Sequence, residues 1–213
     1  LSQLKSHCVS ITTKHSIIDN PSDFCRTFYI DDTIGGRFSA TSIVGGLIIS
    51  CCCGNEIMER LLYGAYQVDQ NSKCNKVTNN LAALAAMISV YHRNFLDYRS
   101  VAIIPYSHAL ARFPAHIQQV SCESNGKQVN IDGEPLTQPS APVIFGEAGT
   151  NAQHSFFQML HQGTDIIPVE FIGFTENITL NSETILASQK LKANLKAQAI
   201  ALAVGEKNSC KNR

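Results

Sequence analysis

Val101-Ala102-Ile103-Ile104-Pro105-Tyr106 is the stretch that decides the fold. Its apolar residues run on without polar alternation, so neither face is meant for water, and β-branched side chains dominate. That is the signature of a parallel strand covered on both faces, ended by proline. Val143-Ile144-Phe145 and the segment from Ile166 to Phe174 repeat the pattern. Pro168 in the latter predicts a strand start, a bulge or an edge. The spacing between these runs is too long for hairpins and is filled by helix-periodic sequence. The prediction is an α/β fold, a three-layer αβα sandwich with a mainly parallel, Rossmann-like sheet, binding ligands at strand C-terminal ends.

Helices are expected from Phe38 or Ser39 to about Ile49, with Gly45-Gly46 allowing close packing, and from Glu56 to Ser72. The second puts Ile57, Leu61, Leu62, Ala65 and Val68 on one face. Thr78 is a candidate cap for a helix running to about Asn94. After Tyr106, Leu110, Phe113 and Ile117 face inward along a helix that Pro114 either kinks or starts. Further helices are expected from about Ala152 to His161 and from Ser182 to Val204, with a frayed polar tail after Gly205. The latter helix spaces Leu191, Leu195, Gln198 and Leu202 helically. His7 to Thr13 reads as a short strand followed by a turn at Asp19 to Asp23, and Val129 to Pro135 as a small hairpin around Asp132-Gly133.

With 44% hydrophobic and 16% charged residues among 213, the chain has the composition of a soluble globular domain with one sizeable core. Lys+Arg and Asp+Glu both count 17, and no basic run interleaved with aromatics suggests a nucleic-acid partner. The eight cysteines, three of them consecutive at Cys51 to Cys53, lack a CxxC pair. They read as buried thiols in a reducing, cytoplasmic setting rather than as a disulfide framework or zinc site. Leu81 to Tyr91 is too short an apolar run to span a bilayer. Asn177-Ile178-Thr179 has the form of a glycosylation site, incidental in a cytosolic protein.

Three stretches carry chemistry. In Gln118-Gln119-Val120-Ser121-Cys122-Glu123-Ser124-Asn125-Gly126-Lys127, the Asn-Gly pair tolerates positive φ and stops a helix just past Glu123. Unpaired carbonyls there disfavour carboxylate ionisation, which suits a general base; an ordinary surface glutamate is the competing reading. In Ile34-Gly35-Gly36-Arg37-Phe38-Ser39, two glycines permit close backbone approach to a ligand and Arg37 adds a cation at a helix start. A tight turn with a surface ion pair is the alternative. In Gly146-Glu147-Ala148-Gly149-Thr150-Asn151-Ala152-Gln153-His154, the histidine falls in the first turn of a helix, where the dipole favours the neutral, proton-accepting ring. A capping or core histidine, or a metal pair with His161, are the alternatives. The wide spacing and the lack of an acidic ligand disfavour metal.

Together, and with Ile104-Pro105-Tyr106, His161-Gln162-Gly163-Thr164 and Ile167-Pro168, these motifs closely resemble the glucose-6-phosphate isomerase family from about Tyr29 to Phe174. The resemblance implies an aldose-ketose isomerase of glycolysis and gluconeogenesis, interconverting glucose 6-phosphate and fructose 6-phosphate through an enediolate without cofactor or metal. It implies Glu123 as the C2 base, Arg37 at the enediolate, His154 in ring opening, and Gln119 and Gly36 at the substrate. It implies a cytoplasmic homodimer in which His154 serves the neighbouring subunit, with no nucleic-acid or membrane partner. Glu123 and Arg37 are then expected in one crevice at the strand ends, with His154 facing a surface.

On the same resemblance, residues 1–28 are the end of a preceding lobe and linker, and 29–213 a C-terminally incomplete sugar-isomerase (SIS) lobe. The family's phosphate-gripping loop and ring-opening lysine are not found here. The chain is therefore expected to be a fragment, inactive alone. The alternative is a non-catalytic sugar-phosphate-binding module of the same fold.

Overall fold

A computed structural model of the chain describes residues 4–175 and 181–205. The Asn177-Ile178-Thr179 motif and the tail expected after Gly205 lie outside the described residues. Length alone predicts one core; the chain instead clusters into two compact units, Leu1–Met87 and Ile88–Arg213.

In the second unit, β3 (Ser100–Pro105) is flanked by β4 (Val143–Gly146) and β5 (Val169–Ile172), in the order β4-β3-β5, and both pairings are parallel. β3 is the run that decided the fold, and its residues from Val101 to Pro105 are all buried. Ala102 N–H donates to the Pro168 carbonyl at 3.0 Å, so Pro168 sits just ahead of β5, where its missing N–H costs no ladder bond. Ala102, Ile104, Tyr106, Ala152 and Phe157 form the core cluster, with Phe145, Phe171, Leu191 and Leu195 packed against it. Fully burying a side chain such as Ile104 contributes about 2 kcal/mol. Leu191 and Leu195 come from the long helix α7 (Ser182–Val204), which opens with a reciprocal capping box between Asn181 and Thr184.

The hairpin expected at Val129 to Pro135 is present as an antiparallel bridge between those two residues. Gly133 sits at φ 81, and the Asn130 side chain accepts from the N–H groups of Asp132 and Glu134.

In the first unit, β1 (Val9–Thr12) pairs in parallel with β2 (Arg26–Tyr29). α1 (Ile43–Cys53) and α2 (Asn55–Ser72) follow. A Cβ at Gly45 would fall well inside contact distance of the Ala40 carbonyl, and one at Gly46 would lie 3.5 Å from Met58 Cε. Gly45 therefore allows close approach of the preceding turn to α1, whereas a Cβ at Gly46 would make only ordinary contact. The face of α2 expected to be apolar is formed, but Ile57, Leu61, Leu62 and Val68 are exposed and Met58 is the buried residue.

Three other local expectations are corrected. α3 (Leu81–Val90) is capped by Asn80 rather than Thr78. The Asn80 side chain accepts from Ala83 N–H at 3.0 Å and donates to the Ser72 and Cys74 carbonyls, whereas Thr78 lies in a preceding 3-10 turn. The expected extension to Asn94 passes into a π-helical turn, Tyr91–Phe95. The cysteines are not buried: Cys25 and Cys51 to Cys53 are exposed, Cys8, Cys74 and Cys122 half-buried, and all are free thiols among the described residues. No helix among the described residues is long and apolar enough to cross a membrane.

Candidate active site

α4 spans Phe113–Asn125 with Arg112 at its N-cap, so Pro114 falls in the first turn, where its missing N–H costs nothing, and no kink follows. Pro114 is fully buried, and a Cβ on Gly146, at the end of β4, would lie 3.0 Å from it. One turn on, Gln118 Nε2 donates to the Ile144 carbonyl at 2.8 Å. Helix and strand therefore run antiparallel.

Glu123 occupies the last turn of α4 and is exposed. Gln119 Nε2 donates to Glu123 Oε2 at 3.1 Å, and Lys127 Nζ donates to the Glu123 carbonyl at 2.7 Å. The helix stops where expected but not by a left-handed residue, since Gly126 has φ −71. Its N–H closes on the Cys122 carbonyl at 2.9 Å, and a Cβ there would fall inside contact distance of that oxygen. The glycine is needed for close approach. Because α4 runs back along the sheet, it carries Glu123 away from the C-terminal ends of the strands, where the crevice was expected.

Arg37 belongs to the first unit, in a 3-10 turn, Gly36–Thr41, and not in an α-helical first turn. The serines delay the helix. Ser39 Oγ donates to the Gly36 carbonyl and Ser42 Oγ to the Ser39 carbonyl, both at 2.7 Å, and Ser42 then caps α1 by accepting from Val44 N–H at 3.2 Å. The Arg37 guanidinium is 6.0 Å from the Phe38 ring centroid. Around Gly36 a Cβ would meet nothing within 4 Å, and Thr33, Ile34, Gly35, Phe38, Thr41 and Ser42 line a small depression beside it.

The helix expected from Ala152 to His161 is broken into α5 (Gly149–Ala152) and α6 (Phe157–Gln162). His154 lies in the turn between them, exposed, its N–H donating to the Asn151 carbonyl at 2.9 Å. Two anchors explain the break. Gly149 lies under the Tyr106 ring, where a Cβ would come within 2.5 Å of it, and Gln153 Nε2 donates to Tyr106 Oη at 3.0 Å and to Asn194 Oδ1. Phe156 then packs edge-on against Phe145, with ring centroids 5.0 Å apart. Burial pushes the Tyr106 phenol up, and the Gln153 hydrogen bond partly offsets it.

The alternative of a His154–His161 pair on one helical face lapses with the break, and the His161 ring packs near Phe157, 6.1 Å between centroids. Among the described residues no group of three or more His, Cys, Asp or Glu is placed to hold a metal ion.

The structure thus joins Gln119 to Glu123 and places His154 apart from them on the same unit. The residues that sequence reasoning missed are Lys127, Tyr106, Gln153 and Asn194. Gln153, Lys127 and Tyr106 stood inside the quoted motifs, but their partners could be found only through the fold.

Comparison with known proteins agrees with this architecture. The family model described as phosphoglucose isomerase matches residues 2–213. The chain is 46% identical over 212 residues to a glucose-6-phosphate isomerase of Treponema denticola and 48% identical over 214 residues to one of Chlamydia pneumoniae. In each case 98% of this chain is covered but only 40% of the relative, so the chain spans about two fifths of the length of these curated proteins. The crystal structure of a glucose-6-phosphate isomerase from Chlamydia trachomatis superposes with a TM-score of 0.90 at 45% identity, over 98% of this chain and 41% of that one. A hypothetical protein from Thermus thermophilus, at 21% identity and a TM-score of 0.68, shares the fold. With matched motifs, a parallel α/β sheet and a family match over nearly every residue, this chain belongs to the phosphoglucose isomerase family.

Proposed function

We propose that this chain supplies the proton-transfer part of an aldose-ketose isomerase acting on glucose 6-phosphate and fructose 6-phosphate. The observation that carries the reading is the family match over residues 2–213, with Glu123 and its hydrogen-bonded Gln119 inside the matched span. Isomerisation requires a base to remove the C2 proton, a cation where the enediolate charge develops, and an acid/base group to open the ring. Glu123 is the base. Gln119, which holds one carboxylate oxygen of Glu123, orients it and contacts substrate hydroxyls. Arg37 stabilises the enediolate, and the open space over Gly36 suits backbone contact with a sugar phosphate. His154 opens the ring.

Its exposed turn, distant along the fold from the end of α4, suits a histidine that serves the site of a second subunit; a homodimer is part of the proposal. So are a cytoplasmic location, chemistry without cofactor or metal, and a division in which residues 1–28 end one sugar-isomerase lobe and 29–213 form most of the next.

The test is a coupled assay of fructose 6-phosphate conversion by a protein of the relatives' full length carrying this sequence. Turnover that is abolished by Glu123→Gln supports the reading. Sugar-phosphate binding without turnover in the unmutated protein would instead identify a non-catalytic binding module.

A further inference from the structure

We infer that Gln153 is a positioning residue that holds His154 for ring opening, through a hydrogen-bonded bridge to Tyr106 and Asn194. The inference rests on the ring-opening role of His154 proposed above and adds residues to it. His154 and Ser155 are the exposed tip of a turn whose two flanks are fixed. On one flank, Gln153 Nε2 donates both to Tyr106 Oη, at 3.0 Å, and to Asn194 Oδ1. On the other, Phe156 packs against Phe145 and Phe157.

The partners of Gln153 come from rigid elements. Tyr106 is 4% exposed, directly follows β3, and has its N–H bound to the Ile172 carbonyl at 2.8 Å. Asn194 lies on α7 between Leu191 and Leu195, which pack on the core. A single amide therefore ties the residue before His154 to the central strand and to the long helix. Among the described residues nothing comparable holds the His154 ring, since the hydrogen bonds of the turn are backbone bonds to Asn151 and Ala152. Placement of the imidazole is thus inherited from Gln153. Loss of the bridge leaves the core packing intact and frees the turn, and a misplacement of about 1 Å costs on the order of a hundredfold in rate.

The experiment compares Gln153→Met, Tyr106→Phe and His154→Gln in a protein of the relatives' full length. Methionine keeps the length of Gln153, and phenylalanine keeps the ring over Gly149 and removes only the hydroxyl. Two substrates separate ring opening from proton transfer: glucose 6-phosphate, which is cyclic, and a four-carbon aldose 4-phosphate, which has no free hydroxyl placed to close a ring and is followed by C2 hydrogen exchange. Both bridge variants, like His154→Gln, should lower kcat for glucose 6-phosphate, the bridge variants by about tenfold to a hundredfold with KM little changed, and all three should leave exchange of the acyclic sugar at the unmutated rate. Amide exchange at His154 to Phe156 should quicken in both while Ala102 and Ile104 stay protected, which shows that the variants fold.

Equal slowing of both substrates would mean a merely structural bridge and overturn the inference. If His154→Gln separates the substrates and the bridge variants do not, the inference fails and the role of His154 stands. If His154→Gln fails to separate them, that role falls, and the inference with it.

Discussion

At the scale of single residues, Arg37 makes the sharpest demand. Its proposed role is to meet charge that develops along the reaction, and a lysine offers a point charge in place of a planar fork. Arg37→Lys should lower kcat more than it raises KM; steady-state kinetics showing only a KM effect would reassign Arg37 to ground-state binding. Asp97 offers a test of electrostatics outside the site. The Arg99 and Arg93 side chains, hydrogen-bonded to it at 3.1 and 2.9 Å, hold its carboxyl below the ordinary value of 3.8. A carboxyl lowered in the folded state adds stability above its unfolded value and loses it as pH falls through the folded one. Asp97 is exposed, so the effect is small. Asp97 has φ 52, a conformation asparagine also tolerates, so Asp97→Asn isolates the charge. Denaturant midpoints of the two proteins should differ at pH 7 and converge as the pH drops below the folded carboxyl value. A gap that persists in acid would place the effect elsewhere.

At the scale of elements, the helix caps are where stability is most sensitive. Asn80→Ala removes the α3 cap and the bonds to the Ser72 and Cys74 carbonyls together. It should cost about 1–2 kcal/mol in urea unfolding, and Thr78→Ala close to nothing. Gly149→Ala should cost about 1–3 kcal/mol by overpacking against Tyr106. Equal midpoints for Asn80→Ala and Thr78→Ala, or no loss for Gly149→Ala, would contradict these assignments.

The same contrast explains what the sequence made legible. β3, β4 and β5 could be read because uninterrupted apolar runs are a local pattern, and α7 because its leucines repeat helically. The start of α1, the cap of α3 and the break between α5 and α6 could not, because each is settled by a polar side chain choosing among partners. Ser39 and Ser42 take nearby carbonyls, Asn80 reaches back to the end of α2, and Gln153 reaches Tyr106 and Asn194. The motifs named Glu123, Gln119 and His154, but the placing of Glu123 away from the strand ends came from the direction in which α4 must return.

At the scale of the whole molecule, the coverage of two fifths of the relatives' length bears on activity. On the expectation carried by the family resemblance, the phosphate-gripping loop and the ring-opening lysine are not among the motifs of this sequence, and remote binding energy from the phosphate would position the sugar. The 213-residue chain by itself should therefore fold, with slow amide exchange in β3, and show no turnover in the coupled assay; isomerase activity lost on Glu123→Gln would show that these residues suffice. The central claim is that Glu123 removes the C2 proton, and its most direct measurement is deuterium exchange at C2 of bound glucose 6-phosphate in the full-length protein, with glutamate and with glutamine at position 123. The amide keeps the shape and the Gln119 neighbour and removes the base, so exchange should fall by about 10² to 10⁴ while binding survives. Exchange by Glu123→Gln at the unmutated rate would contradict the account.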